Sequence, residues 1–279
     1  MSLRIEKEIG TARGKILRKV FISSVIFLFI ALPVLATEPY DILFSTDEDF
    51  SLNLLHPADD NLVYYSAGSY DISSLLSPGT LPPEVNIDAL SIVGANTVVF
   101  SLDEDAVLPV VGLVADEDLI SFNGSTFTLW WDGSANGLPP EVNLDAVHVI
   151  SPTEFLFSLE EDAVLPDVGL VADEDIIRFS GGTFTMELDG SAIGIPPEAD
   201  VDAISILPNT MPLTYILSLR SANLIGGSLY DDSDLIAYSV GGFSKFFDAA
   251  ANGIPPEVNI NAVEILGRTD VPDWMHINR

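Results

Sequence analysis

One eleven-residue stretch occurs four times in the chain and limits what the chain can fold into. Each copy begins with a pair of prolines, at Pro82, Pro139, Pro196 and Pro255. The first prolines of successive copies are 57, 57 and 59 residues apart. Self-similarity at a fixed period of this size is typical of proteins built from stacked structural repeats. We therefore interpret the residues between the copies as parts of one repeating unit.

The second unit has the clearest strand signals. Its four short runs, rich in β-branched and aromatic residues, are residues 87–93, 97–102, 118–122 and 125–131. Asn123-Gly124 lies between the last two runs and is a strong hairpin signal. A loop containing Pro109 and Gly112 joins the second and third runs. No long window outside the N-terminal segment has helical periodicity, so the sequence predicts an all-β chain.

The order of strands at the two ends of the repeat region favours a closed ring. One four-stranded sheet of this size buries too little apolar surface to be stable alone, and sheets stacked around an axis cover one another. The first unit begins on a second-type strand, residues 42–45, and the last strand, residues 260–266, is of the first type. If these two pair, all sixteen strands find places. We predict a four-bladed β-propeller with four strands per blade over residues 37–267, with two packed β-sandwich halves as the alternative.

Each unit carries a short polar signature on its first strand. The four pairs are Asp88-Ala89, Asp145-Ala146, Asp202-Ala203 and the variant Asn261-Ala262. This layout resembles the hemopexin-type four-bladed propeller, although the disulfide of that family is missing here. It is also similar to uncharacterised acidic repeat proteins secreted by bacteria.

The hemopexin-like resemblance implies an ion in the central channel. A calcium or sodium ion would be lined by Asp88, Asp145, Asp202 and Asn261, since calcium prefers six to eight oxygen ligands. The alternative is a structural role, in which each carboxylate accepts hydrogen bonds from backbone amides of its own turn.

The N-terminal 36 residues have the pattern of a secretory signal peptide. A basic segment precedes an apolar run at residues 20–35, and Val34-Leu35-Ala36 places short side chains at the cleavage position. The run is about 16 residues, which is short for a membrane span of about 20. We predict cleavage after Ala36 and a secreted or periplasmic product, with an uncleaved anchor as the alternative. Residues 268–279 are interpreted as a C-terminal tail.

The excess of acidic residues limits the classes of molecule that the protein can be expected to bind. Without residues 1–36 the chain has 5 basic and 40 acidic residues. Such a surface repels nucleic acid and anionic lipid, so neither is an expected partner, and it attracts cations. The acids also keep a β-protein soluble and its strand edges unpaired. The chain has no cysteine, so no disulfide can form and burial of the apolar core must stabilise the fold. We expect the protein to be a monomer.

Acidic clusters flank the loop between the second and third strands of each unit. They are residues 47–49, 103–105 and 160–162 after second strands, and 116–118, 173–175 and 231–234 before third strands. They lack the twelve-residue calcium-loop pattern, so turn chemistry is favoured over surface calcium sites. The fourth unit has Arg220 where the other units have their first acid.

No motif in the sequence specifies an enzymatic activity. His56, His148 and His276 share no spacing, and no nucleophile elbow, zinc-binding helix or phosphate loop occurs. We predict a non-enzymatic binding or structural module with an extracellular protein or carbohydrate as partner. The alternative is a secreted carbohydrate-active hydrolase that uses an asymmetric pair of carboxylates. Trp130 and Trp131 are adjacent on a fourth strand, so at least one should pack between blades, while a carbohydrate platform is the other interpretation.

Overall fold

The structure is a computed structural model that describes residues 40–52, 55–76 and 80–267. The predicted signal peptide and the predicted tail lie outside the described residues, and both stay predictions. Within the described ranges, the longest helices have only a single turn, and none could cross a bilayer.

Four antiparallel four-stranded sheets form the blades of a β-propeller, as the sequence predicts. The first blade contains, from the axis outward, β22 (Ala262–Gly267), β1 (Tyr40–Ser45), β2 (Val63–Ser66) and β3 (Ser69–Ile72). The second contains β4 (Ile87–Gly94), β5 (Thr97–Leu102), β8 (Leu119–Phe122) and β9 (Phe127–Trp131). The third contains β10 (Ala146–Ser151), β11 (Glu154–Ser158), β14 (Ile176–Ser180) and β15 (Thr183–Leu188). The fourth contains β16 (Ala203–Ile206), β17 (Tyr215–Ser218), β20 (Leu235–Ser239) and β21 (Gly242–Phe247).

The ring closes by pairing of the last strand with the first. Strand β22 lies antiparallel to β1 in a register that runs from Tyr40 opposite Gly267 to Ser45 opposite Ala262. The predicted closure is therefore confirmed, and the interpretation as two packed sandwiches is wrong. The innermost strands β4, β10, β16 and β22 contact their neighbours around the axis.

Each interface between blades has its own apolar core, because the second strand of every sheet is buried on both faces. In β5, Val98 and Phe100 face the first blade, while Val99 faces the third. The interface of the third and fourth blades contains Leu156 and Leu217, and the fourth returns to the first through a further cluster. Burial on both faces explains why these strands are almost continuously apolar instead of alternating.

A small hairpin fills the loop between second and third strands in three blades, where the sequence predicts only a loop. The hairpins are β6 (Ala106–Leu108) with β7 (Gly112–Val114), β12 (Ala163–Leu165) with β13 (Gly169–Val171), and β18 (Asn223–Ile225) with β19 (Ser228–Tyr230). One face of each hairpin is buried: Leu165 and Val171 join the core that contains Leu138, a residue of the preceding crossover. The hairpins therefore fasten neighbouring blades together.

Short helical turns follow the outermost strands. They are α1 (Gly133–Asn136), α2 (Gly190–Ile193) and a 3₁₀ turn at Ala250–Asn252. In α1 the Asp132 carboxylate accepts a hydrogen bond from the Ala135 backbone amide at 2.8 Å, as an N-cap does. Gly137 ends this helix at a φ of 103°, in the left-handed region that favours glycine. The next proline pair then starts the crossover to the following blade.

Candidate axial site

One end of the propeller gathers most of the polar residues that the sequence singles out. Because neighbouring strands are antiparallel, the starts of innermost strands, the ends of second strands and the starts of third strands meet at one end. We call this the acidic end. The tight turns, such as Asn123-Gly124, lie at the opposite end, the turn end.

The four predicted ion-binding residues occupy equivalent places at the acidic end, and we call them the inner ring. Asp145, Asp202 and Asn261 are 1–2% exposed, and Asp88 is half-buried. Ser158 donates a hydrogen bond to Asp145 at 2.8 Å, and Ser45 donates to Asn261 at 3.0 Å. Two of the four inner-ring residues are thus held by serine side chains of second strands.

Burial shifts the inner-ring carboxyls toward the protonated form. It raises the pKa of Asp88 to about 7, and it raises the pKa values of Asp145 and Asp202 well above their usual range. No cluster of three or more His, Cys, Asp or Glu side chains within the described ranges is arranged to hold a metal ion. An ion at the inner ring therefore stays a prediction.

A second set of four equivalent residues lies two positions upstream, and we call it the outer ring. Its members are Asn86, Asn143, Asp200 and Asn259, all 5–8% exposed. Two of the side-chain amides reach the inner ring of the preceding blade: Asn143 donates to Asp88 at 2.7 Å, and Asn259 donates to Asp202 at 2.6 Å. The outer ring is part of the repeated stretch, yet asparagine there is easily taken for a turn residue, so the sequence analysis misses it.

The outer-ring residue of the fourth blade is Asp200 instead of an asparagine. The residue beside it at the end of the second strand also differs in type from that in the other blades. In the other blades, an acidic residue that follows the second strand lies beside the outer-ring residue. In the third blade this acid is Glu160, which accepts a hydrogen bond from Asn143 at 3.0 Å. The fourth blade has Arg220 there, 3.5 Å from the Asp200 carboxylate. Burial still raises the pKa of Asp200 to about 7, although a hydrogen bond with Asp145 and the Arg220 charge lower it.

The acidic clusters before the third strands bind backbone amides. Asp118 accepts hydrogen bonds from the amides of Ala115 at 3.2 Å and Gly133 at 2.9 Å. Asp175 does the same with Ala172 and Gly190 at 3.0 and 2.9 Å. The last acid of each cluster therefore ties the start of a third strand to the helical turn after the fourth, which is the turn chemistry that the sequence favours.

A further ring, three positions after the inner ring, breaks the four-fold symmetry. Its members are Ser91, His148, Ser205 and Glu264. Ser91 donates a hydrogen bond to Glu264 at 2.9 Å and accepts one from the Val149 amide at 3.0 Å. His148 Nδ1 lies 4.0 Å from the Glu264 carboxylate. Because these residue types differ, the recurrence is visible only after the repeats are aligned on the inner ring.

Burial disfavours the charged form of both titratable groups of this ring. Burial raises the pKa of Glu264 to about 7 and lowers that of His148 to about 4. Ser91 donates its hydrogen bond directly to Glu264, and His148 does not lie between the two. The arrangement therefore differs from a nucleophile–histidine–acid triad.

Replacing the buried glutamate by its neutral isostere is expected to stabilise the protein above pH 7. The folded-state pKa of Glu264 lies above its ordinary value near 4.5, so its stabilising contribution is present below 4.5 and lost as pH rises through 7. The loss corresponds to about 3 kcal/mol. In urea titrations at pH 5 and pH 8, the stability difference between Glu264→Gln and the parent chain should grow by this order. The exposed Glu141→Gln is the control, and an equal difference at both pH values would refute the prediction.

The two tryptophans on β9 pack against the third blade. Trp131 is 8% exposed and lies 5.1 Å from Phe155 between ring centroids, and Trp130 is half-buried at 5.6 Å from the same ring. The expectation that at least one packs between blades is confirmed. A cavity at the turn end is lined by Trp130, by Ile92 and Val93 of β4, and by residues 149–152 at the end of β10. It includes no carboxylate, so it lacks the acid pair of a glycoside hydrolase.

Comparisons with known proteins find only solved structures of low similarity to this chain. No protein-family model matches the chain, and no curated protein matches it. Among solved structures, YCF48 bound to D1 peptide is 8% identical at a TM-score of 0.32, over 72% of this chain and 50% of that chain. The extracellular domain of the putative one component system BT4673 from B. thetaiotaomicron is 13% identical at 0.31, over 77% and 27%. A protein of unknown function from Bacteroides caccae is 6% identical at 0.33, over 82% and 99%. The chain thus spans half the length of the YCF48 chain, and none of these similarities assigns it a function.

Proposed function

We propose that this protein is an exported, non-enzymatic binding module whose partner docks on the three hairpins. A four-bladed propeller is suited to a binding or structural role because its rigid ring presents equivalent loops at one end. The observation that carries the proposal is a repeated pair of exposed apolar side chains. The pairs are Val107 with Leu113, Val164 with Leu170, and Leu224 with Leu229.

These pairs are exposed although the opposite faces of the same hairpins are buried. Val107 and Leu113 are each 70% exposed, and Leu224 and Leu229 are 63% and 60% exposed. The members of each pair lie directly opposite each other across the hairpin, so together they present a continuous apolar face. One exposed leucine is ordinary, but the same exposed pair at three equivalent positions favours an interaction surface.

Charge selects the kind of partner. Acidic residues 103–105 and 116–118 flank the hairpin of β6 and β7 on both sides, and the net charge of the chain is −31. A second copy of this chain would bring like charges together, whereas a protein with basic residues around apolar side chains would complement the surface. A carbohydrate partner has less support than a protein partner, because Trp131 is buried and Trp130 is half-buried.

Photo-crosslinking in the producing cells tests the docking surface. A crosslinking amino acid in place of Leu113 should capture one defined protein, while the same amino acid at Val240 should not capture it. Val240 is 86% exposed in the turn between β20 and β21, so it is a matched apolar position at the turn end. With the crosslinking amino acid kept at Leu113, threonine at the other five pair positions should abolish capture without lowering the melting temperature by more than about 2 °C.

Three results would contradict the proposal: no capture from Leu113, equal capture from Val240, or capture from Leu113 that survives the five threonines. The same preparation examines export, because the mass of the captured chain should correspond to an N-terminus at Thr37.

A further inference from the structure

One residue at the tip of the second-blade hairpin has a backbone conformation that its side chain disfavours. Val110 has a φ of 73°, in the left-handed region. The Cβ atom of an L-residue lies too close to a carbonyl oxygen there, and a β-branched residue is a clear outlier. The equivalent residue of the third-blade hairpin is Asp167, at a φ of 66°, and the turn of the fourth-blade hairpin has Gly226 and Gly227 at 59° and 88°. Aspartate and glycine tolerate this region, so the second blade is the exception among the three hairpins.

Burial within the chain does not account for this valine. Val110 is 89% exposed, so it contributes little apolar burial to the fold. The next residue, Val111, is partly buried against the core that contains Leu108 and Val114, and this contact anchors the turn. The anchored turn therefore holds a strained valine in solvent, although asparagine or aspartate would fit the backbone better. Strained residues that the surrounding structure holds in place are concentrated at binding and active sites.

Val110 extends the apolar surface of the second-blade hairpin beyond the pair that all three hairpins share. Val107 and Leu113 of this hairpin are each 70% exposed, so three large apolar residues face solvent together. The third-blade hairpin has a charged residue at its tip, Asp167, and the fourth-blade hairpin has glycines there. The three hairpins are thus alike in their pairs and different at their tips, and the second blade offers the largest apolar contact.

We propose that Val110 selects the partner, because its side chain enters an apolar pocket, rimmed by basic residues, on the protein that docks on the hairpins. This role rests on the docking surface proposed above, and it adds which hairpin dominates the contact and what the partner must present. A β-branched side chain has a restricted first torsion, so it loses little rotational freedom when a pocket closes around it. Acidic residues 103–105 are exposed at the base of the same hairpin and favour basic residues at the rim of the pocket.

Val110→Asn is expected to stabilise the fold and to weaken capture at the same time. Asparagine tolerates the left-handed region, so the melting temperature of the full chain should rise by about 2–4 °C. With the crosslinking amino acid at Leu113 in the producing cells, the yield of captured partner should fall by about tenfold or more, because the pocket loses its apolar contact. Val110→Thr keeps the β-branched shape and the strain, so it should lower capture without raising the melting temperature.

Ala67→Asn is the matched control for relief of strain. Ala67 has a φ of 50° in the exposed turn between β2 and β3 at the turn end, so this change should raise the melting temperature and leave capture unchanged. Capture at the parent level in both Val110→Asn and Val110→Thr would overturn the role of Val110 and leave the docking surface standing. No rise in melting temperature in Val110→Asn, or an equal loss of capture in Ala67→Asn, would also overturn it. Absence of capture from Leu113 in a chain that retains Val110 would overturn the docking surface as well.

Discussion

A chain that ends at Asn261 is expected to lose cooperative folding. The missing strand, β22, supplies all six residues that pair with β1, and its side chains enter two interfaces between blades. Val263 and Ile265 are 1% and 2% exposed, and without them the core between the fourth and first blades opens. Burying one such side chain contributes about 1.5–3 kcal/mol, so losing several of them together with the pairing of β1 removes a large part of the stability of about 5–15 kcal/mol that an ordinary domain has. Thermal unfolding followed by circular dichroism should show no sigmoidal transition.

Two controls separate ring closure from simple shortening. A chain ending at Gly267 retains every described strand pair and should melt cooperatively. A circular permutant should also melt cooperatively if Gly267 is joined to Tyr40 by a short turn and the new ends lie between Gly181 and Gly182. This permutant keeps β22 beside β1, where Tyr40 and Gly267 are directly opposite. A sharp transition in the chain ending at Asn261, within a few degrees of the parent, would show that closure is dispensable.

Closure was predictable because it depends on the order of elements and not on their details. The innermost strand of the first blade does not precede β1 in the sequence but lies at residues 262–267. In a four-fold repeat, the first blade is the one sheet that still needs this strand. The hairpins were not predictable from the same pattern. Each of their strands has three residues, and Pro109 and Gly112 in the first hairpin are turn signals. Only the fit of Leu108 and Val114 against the neighbouring blade makes these residues strands.

The candidate site was predictable in one of its layers. The inner ring follows from the repeated Asp-Ala, which places Asp88 within β4 and its three equivalents immediately before the other innermost strands. The outer ring depends on the amide orientation of residues such as Asn143, which is set by contacts between blades that no single repeat contains. The ring that includes His148 and Glu264 differs in residue type at each position, so its pairing is a property of the closed structure alone. Contacts across blades are the common reason for what the sequence could not indicate.

The second large effect is expected from adding one methyl group at Gly133. A Cβ atom at this residue would lie 2.2 Å from the carbonyl oxygen of Glu117 and 2.7 Å from its Cγ atom, so the backbone must move. Gly133 also donates its amide hydrogen bond to Asp118 at 2.9 Å, which ties the helical turn to the third strand. Overpacking of this kind costs about 2–3 kcal/mol. Urea denaturation of Gly133→Ala should show this loss, while Gly94→Ala should be nearly neutral, because its Cβ would contact Thr97 at an ordinary 3.7 Å.

The fourth blade has a larger residue at the position of Gly133 together with a smaller residue at the position of Glu117. This pair allows a test of whether the glutamate side chain causes the loss of stability. At the positions equivalent to Glu117 and Gly133 the fourth blade has Ser233 and Ala249, both fully buried. The amide of Ala249 lies 3.3 Å from the Asp234 carboxylate, compared with 2.9 Å for the equivalent amide of Gly133 in the second blade. Glu117→Ser should therefore recover more than about 1 kcal/mol of the loss in Gly133→Ala, as a coupling energy in a double-mutant cycle. Strictly additive effects would mean that the glutamate side chain does not set the space at Gly133.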